Sequence, residues 1–316
     1  MEKKPLIILT GPTSVGKTAL SISLAKAVDG EIISADSMQV YRHMDIGTAK
    51  ITKDEMEGIP HYLIDELGPE EEFNVFLFQK YAKKYMDQIR AKGKIPIIVG
   101  GTGFYIQAVL YDIDFTDNET DVSYRHELEQ VAINKGSGYL HRMLQKVDPE
   151  SASVIHPNNN KRIIRALEYA RMTGGKISSH NEEQKNKVSP YQYCYFVLTK
   201  DRVKLYDRIN RRVDLMMDKG LLEEVKSLED KGYTKDLVSM QGLGYKELLN
   251  YMEGGCGFEE AVTQIKKDTR HYAKRQITWF RRERDVIWVD KDTFLNDDDI
   301  LAFLLIKLKE SGFQLA

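Results

Sequence analysis

The chain has 316 residues, of which 46 are Lys or Arg and 48 are Asp or Glu, for a formal charge of −2 at pH 7, which excludes a uniformly basic nucleic-acid binder. Hydrophobic residues make up 42% and aromatic residues 9%, too apolar for wholesale disorder, and the length predicts one or two domains with a sizeable core. No window of about 18 apolar residues occurs, and Cys194 and Cys256 show no Cys-x-x-Cys or Cys/His spacing, which predicts a cytoplasmic protein without a membrane span, disulfide framework or zinc site.

In chain order, a short apolar run at residues 6–9 is followed by a helical pattern from near Lys17 to residue 28. Next come a second apolar run at Ile32 and Ile33, a third at residues 62–64, an amphipathic stretch over 73–89 and a fourth run at 95–99. Strands buried on both faces and alternating with helices predict an α/β fold, a parallel sheet flanked by helices. Over residues 116–189 the strand-like runs vanish and helical periods dominate, as in Leu128, Val131, Ala132 and again Ile163, Ile164, Leu167, Ala170. That stretch reads as an inserted all-helical domain. Residues 193–198 read as a returning strand, so the core is predicted to be discontinuous, 1–115 and 190–316. Helical patterns follow over 206–217, 221–228, 245–252 and 258–280, then a last strand at 286–289.

Between the first strand and the first helix stands Gly11-Pro12-Thr13-Ser14-Val15-Gly16-Lys17-Thr18, which fits G-x-x-x-x-G-K-[ST]. Glycines at both ends let the backbone wrap phosphate oxygens with N–H groups, and the helix N-terminus adds positive potential. Lys17 supplies a point charge, and the Thr18 hydroxyl can hold Mg²⁺. The motif predicts a diphosphate or triphosphate ligand but does not say which molecule carries it. A P-loop hydrolase adds an acid at the end of a second strand. Here the strand at 95–99 runs instead into Gly100-Gly101-Thr102-Gly103-Phe104-Tyr105, without a carboxylate. Those glycines suit either a plain strand-to-helix turn or backbone packed closely on a ligand, with Thr102 offering a hydroxyl. The acid nearest the loop in sheet order is Asp36, heading Asp36-Ser37-Met38-Gln39-Val40-Tyr41-Arg42. It can cap the next segment or serve as a general base at the ligand crevice.

These strings, in this order and joined late in the chain by Arg275-Gln276-Ile277-Thr278-Trp279-Phe280-Arg281, resemble the bacterial tRNA dimethylallyltransferase family, also called tRNA isopentenyltransferases, over essentially the whole sequence. The resemblance implies transfer of a dimethylallyl group from dimethylallyl diphosphate to N6 of the adenosine 3′ of the anticodon in tRNA, with release of diphosphate and Mg²⁺ assisting. Breaking a carbon–oxygen bond with diphosphate as leaving group requires no positioned water, which accounts for the missing hydrolytic acid. The resemblance makes Asp36 the base, surrounds the adenine with Ser37, Met38 and Gln39, and sets Thr102 near it. It also makes Arg212, or its neighbour Arg211, a second diphosphate clamp.

Adenine N6 is reached only when the base leaves its stack, so the RNA must be engaged around a flipped nucleotide. Two local charge excesses suit that: Lys161, Arg162, Arg165 and Arg171 against Glu168, and a run over 266–284 with eight cations against Asp268 and Glu283, interleaved with Tyr272, Trp279 and Phe280. Alone, such a helix reads more often as a solvated face. By resemblance Arg125, Asn160, Lys161, Arg162 and Arg165, the segment containing Gln241, Gly244, Tyr245 and Lys246, and Arg275, Gln276 and Trp279 are expected to touch the anticodon stem-loop. The eight carboxylates over 54–72, with no Lys or Arg among them, read as a solvated face away from RNA, and the seven histidines as structural or surface groups. A monomer is expected. The competing reading is a P-loop small-molecule or nucleotide kinase, which shares the loop, the α/β core and a helical lid.

Overall fold

The computed structural model describes residues 3–115 and 122–315. The chain opens with β1 (Lys4–Thr10), α1 (Lys17–Ala27), β2 (Gly30–Ala35), β3 (His61–Tyr62), α2 (Val75–Ala91), β4 (Ile95–Gly100) and α3 (Gly103–Leu110). Five helices follow: α4 (Val122–Lys135), α5 (Ser137–Val147), α6 (Pro149–Val154), α7 (Asn160–Thr173) and α8 (Ile177–Lys185). The chain then returns with β5 (Tyr191–Thr199), α9 (Arg202–Asp218), α10 (Leu221–Asp230), α11 (Tyr245–Met252), α12 (Phe258–Phe280), β6 (Val286–Asp290) and α13 (Asp297–Glu310).

The six strands form one sheet in the order β3-β2-β4-β1-β5-β6, every neighbouring pair parallel. Leu6, Ile7, Ile8 and Leu9 on β1 are fully buried, as expected of a central strand covered by helices on both faces. The parallel α/β fold read from the sequence is therefore present. Helix α9 shows how the flanking layer forms. Asp201 caps it by accepting from the amides of Val203 and Lys204, and Leu205, Ile209 and Val213 recur every four residues along its buried face. Two helices of this layer were missed in the sequence. The α3 segment, Gly-Phe-Tyr-Ile-Gln-Ala-Val-Leu, is apolar nearly all round and shows no amphipathic period, while α13 lies beyond the last strand, started by the Asn296 cap on the Asp299 amide.

The chain divides into two compact units, one running to Leu110 and resuming at Pro190, the other Tyr111–Ser189, so that the helical unit starts at Tyr111 rather than at 116. The helical unit has its own core of Leu128, Leu140, Leu144, Ala152, Ile163, Ile164, Ala166 and Leu167. It is pinned by the fully buried Asp148, which accepts from the amide and hydroxyl of Ser151 and of Ser178 at 2.7–3.0 Å. Burial alone would raise the pKa of this carboxyl, but those bonds hold it below its ordinary value. Among the described residues no helix is long and apolar enough to cross a membrane.

Candidate active site at the carboxyl ends of the strands

Register alone brings three segments together. Thr10 at the end of β1 pairs with Gly100 of β4, and Ala35 at the end of β2 pairs with the same Gly100. The loop 11–18, the segment starting at Asp36 and the turn at 101–103 therefore leave the sheet side by side, at the edge where open parallel sheets bind ligands. Thr10 Oγ1 donates to the Gly100 carbonyl at 2.6 Å, and the Thr102 amide donates to the Ala35 carbonyl at 3.1 Å, which closes the seam.

The loop is shaped to receive an anion. Gly16, at φ 95°, adopts a left-handed conformation that an L side chain would strain, and Ser14 adopts one at φ 63° despite its Cβ. Gly16 caps α1 without a side-chain hydrogen bond, which leaves the helix N-terminus open. Ser14 Oγ is buried and has no hydrogen-bond partner, so the loop holds a donor that a phosphate oxygen would satisfy. Lys17 Nζ donates to the Gly11 and Pro12 carbonyls, both at 2.9 Å, spending two of its three protons on the loop. Its pKa is lowered to about 7, first by burial and then by Arg212, with Asp36 acting in the opposite direction.

This shift has a pH consequence. Without ligand, the folded chain holds Lys17 largely neutral above pH 7 while the unfolded chain keeps it charged up to about 10.5, so on this account the ligand-free fold gains stability as pH rises through that window. A bound diphosphate favours the ammonium, so binding should take up a proton above pH 7, and pyrophosphate affinity should fall as pH rises from 7 to 9. Calorimetry in buffers of different ionisation enthalpy reads the proton; a binding enthalpy independent of buffer contradicts the assignment.

Around Asp36 the structure assembles a mixed-charge cluster. Its Oδ1 accepts from the Met38 amide at 2.9 Å and the Gln39 amide at 3.3 Å, so the turn-capping reading and the exposure of a carboxylate to the crevice hold together. Arg212 faces it: burial lowers the pKa of this guanidinium, Asp36 raises it, Arg208 lowers it and Glu55 raises it. Arg211, in contrast, is exposed, so of the two expected clamp candidates it is Arg212 that stands beside Asp36. Two phenols also feel the carboxylate. Tyr272 is pushed up to about 12 by burial and then Asp36, against Thr102, Arg275 and Gln276, and Tyr105 is raised by burial, Tyr41, Asp36 and Tyr272. The buried Thr102 Oγ1 makes no hydrogen bond of good geometry, although it lies close enough to the Tyr272 hydroxyl to favour its anion.

Several groups here were not singled out in the sequence. Arg208 Nε donates to the Ser14 carbonyl at 3.0 Å, and Lys291 Nζ reaches the Gly16 carbonyl at 3.5 Å while pairing with Asp297 at 2.8 Å. Arg208 stands four residues before Arg212, one turn away on the same helix face, a spacing that could have identified it. In the acidic run, the exposed Glu55 exerts the weakest of the four influences on Arg212, raising its pKa.

The predicted RNA contacts divide. Arg275 and Trp279 lie with His271, Lys274, Thr278 and Arg282 along a groove of about 490 Å³ on α12. Trp279 rests against Gly103, where a Cβ would collide with the indole, and meets Phe104 edge-on at 5.9 Å. Its Nε1 is buried beside Glu283, whose carboxyl is raised to about 7 by burial against the opposing pull of Trp279 and Arg284. Gln241 and Lys246 are exposed, and Gly244 starts α11 at φ 94°. Tyr245, however, is 1% exposed and donates to Glu224 Oε1 at 2.7 Å, so its ring builds the core instead of meeting RNA. Ser37 is half-buried and Met38 packs against Gly242. The Gln39 amide is committed, accepting from Ser34 Oγ at 3.1 Å and donating to the Thr48 and Ala49 carbonyls.

Gln276 corrects the expected contact more sharply. It is 6% exposed, its Oε1 accepts from the Thr13 amide at 2.8 Å, and its Nε2 donates to the Gly101 carbonyl at 3.0 Å. The Thr13 amide is thereby withdrawn from the phosphate-binding set, and Pro12 has no N–H to give. In the helical unit Lys161, Arg162 and Arg165 are exposed along α7, and Asn160 Oδ1 is buried without a partner. Arg125, part-exposed, forms a two-pronged pair with Glu168 at 2.9 and 2.8 Å, holding a carboxylate that is only 3% exposed.

A parallel sheet with this loop after its first strand defines an α/β phosphate-loop protein. Comparison with known proteins makes the assignment particular. The family model described as IPP transferase matches residues 39–283. A tRNA dimethylallyltransferase of Lachnoclostridium phytofermentans is 61% identical over 307 residues, covering 97% of this chain and 98% of that one, and one of Bacillus cereus is 52% identical over 98% and 97%. Among solved structures, the tRNA isopentenylpyrophosphate transferase of Bacillus halodurans superposes with a TM-score of 0.73 at 46% identity, covering 98% of both chains. A eukaryotic dimethylallyltransferase acting on tRNA reaches 0.84 at 29% identity, covering 99% of this chain and 81% of that one. The chain belongs to the IPP transferase family.

Proposed function

We propose that the chain transfers a dimethylallyl group from dimethylallyl diphosphate to N6 of the adenosine immediately 3′ of the anticodon in tRNA, adenosine-37, releasing diphosphate. One observation carries the reading: the Asp36 carboxylate is close enough to the loop cation Lys17, to Arg212 on α9 and to the Tyr272 phenol beside Thr102 to shift the titration of all three. A carboxylate so placed can take the N6 proton as N6 attacks the allylic carbon. The carbon–oxygen bond breaks with its electron pair leaving on diphosphate, and Lys17, Arg212 and the loop amides neutralise the charge that develops there. The relatives named as tRNA dimethylallyltransferases support the same chemistry.

Mg²⁺ fits this site as a partner of the diphosphate. Among the described residues no cluster of three or more His, Cys, Asp or Glu could hold an ion alone, while the exposed Thr18 hydroxyl can give one oxygen and leave the others to phosphate and water. When bound, the ion would neutralise negative charge on the leaving group. The reading carries with it a cytoplasmic monomer that engages the anticodon stem-loop through Arg275, Trp279, Gln241, Lys246, Lys161, Arg162 and Arg165.

Labelled dimethylallyl diphosphate, Mg²⁺ and tRNA with adenosine at that position should give labelled RNA and free diphosphate, with no diphosphate released when RNA is omitted. ADP formation from ATP with a small acceptor, and no labelled RNA, would establish a kinase instead. Arg212→Ala should weaken pyrophosphate binding by about tenfold or more, as loss of a charged hydrogen-bonding group does, while Arg211→Ala leaves it within twofold. The opposite order, read by calorimetry, contradicts the clamp assignment.

A further inference from the structure

The α12 segment that carries the RNA-facing groove also reaches into the phosphate loop, through one side chain. Along this helix Ala273, Gln276 and Phe280 point inward at helical spacing, so Gln276 is the polar member of a buried stripe. Its amide meets complementary groups at both ends. The oxygen accepts from the Thr13 amide at 2.8 Å, the nitrogen donates to the Gly101 carbonyl at 3.0 Å, and the Tyr272 hydroxyl one turn earlier also leans on it. Gly101 is fitted to this contact, because a Cβ there would collide with Gln276 Nε2. A neutral carboxamide supplies both the acceptor and the donor that this arrangement takes, one to each backbone partner.

We propose that Gln276 is a positioning residue for the donor rather than an RNA contact: it fixes the phosphate loop to the Gly101–Thr102 turn and so holds the diphosphate cradle at a set distance from Asp36 and Thr102. The proposal rests on the loop being a diphosphate site, and it extends the transferase reading by assigning this residue to the donor side. Loss of the pin frees the Thr13 amide and lets residues 11–14 shift, which loosens the donor site while the outward-facing Arg275 and Lys274 keep their phosphate-facing positions.

The test measures two affinities separately, inorganic pyrophosphate by calorimetry and an anticodon stem-loop RNA by fluorescence anisotropy, on full-length protein carrying Gln276→Leu or Gln276→Glu. Leu removes both hydrogen bonds. Glu keeps the acceptor toward the Thr13 amide but sets a charged oxygen against the Gly101 carbonyl, so it breaks the second bond while adding a negative charge beside the loop, and it keeps the test open should the Leu variant fail to fold. The expected result is pyrophosphate binding weakened about tenfold by Leu and at least as much by Glu, with RNA binding within twofold of wild type in both. RNA binding lost with pyrophosphate binding kept, equal loss of both affinities in a folded variant, or no change in either would overturn the proposal. Because neither measurement requires turnover, absence of prenyl transfer by the wild type would refute the functional reading without deciding this one.

Discussion

Replacing Asp36 with Asn is expected to slow dimethylallyl transfer by roughly two to four orders of magnitude, the range over which a positioned general base contributes, while tRNA affinity stays within a few-fold. Asn is the informative substitution because its side-chain oxygen can still accept from the Met38 and Gln39 amides that Asp36 Oδ1 serves, so the turn survives and only the carboxylate is lost. Asp36→Ala removes the turn as well, so a fall shared by both variants belongs to the charge. Pyrophosphate binding gives an independent sign. Removing an anion that faces Lys17 and Arg212 should leave the cradle more positive and its affinity equal or higher. An Asn variant that keeps more than a tenth of the wild-type single-turnover rate would exclude Asp36 as the base.

Lys17→Ala is expected to weaken pyrophosphate binding by about 1.5–3 kcal/mol, the worth of a hydrogen bond to a charged group, or ten- to more than a hundredfold. Stability should move the other way. The ammonium is held in an environment that lowers its pKa to about 7, so deleting it removes a buried charge, and the ligand-free melting temperature at pH 6 should not fall. Lys17→Arg should not rescue binding, since a planar guanidinium cannot sit as a compact ammonium between the Gly11 and Pro12 carbonyls, each 2.9 Å away. Retention of wild-type affinity in the Ala variant would remove Lys17 from the donor site.

The central sheet was legible because burial on both faces writes uninterrupted apolar runs, as at Leu6 to Leu9, and because the phosphate loop has a fixed spacing of Gly11, Gly16, Lys17 and Thr18. What escaped was direction. Gln276 and Trp279 stand three residues apart in a basic-aromatic string, yet one points into the phosphate loop and the other lines the outer groove. The inward stripe of Ala273 and Phe280 carried that information, but the charge of the surrounding residues outweighed it. Tyr245 was misjudged for a related reason: an aromatic in a Gly-rich segment looks available, whereas Gly47 makes room for its ring and Glu224 accepts a hydrogen bond from its hydroxyl. Arg125 shows that a cation can be engaged by a partner distant in sequence, here Glu168 on α7. The net charge of −2 concealed a segregated distribution, with the basic groove of α12 offset by carboxylates elsewhere, such as the run over 54–72.

The measurement that addresses the account most directly is nucleoside analysis by mass spectrometry of tRNA incubated with the protein, dimethylallyl diphosphate and Mg²⁺. The account predicts N6-(dimethylallyl)adenosine at the position 3′ of the anticodon, formed by the wild type and at most traces with Asp36→Asn. Unmodified tRNA after exhaustive incubation, or the group attached at any other base or atom, would contradict it.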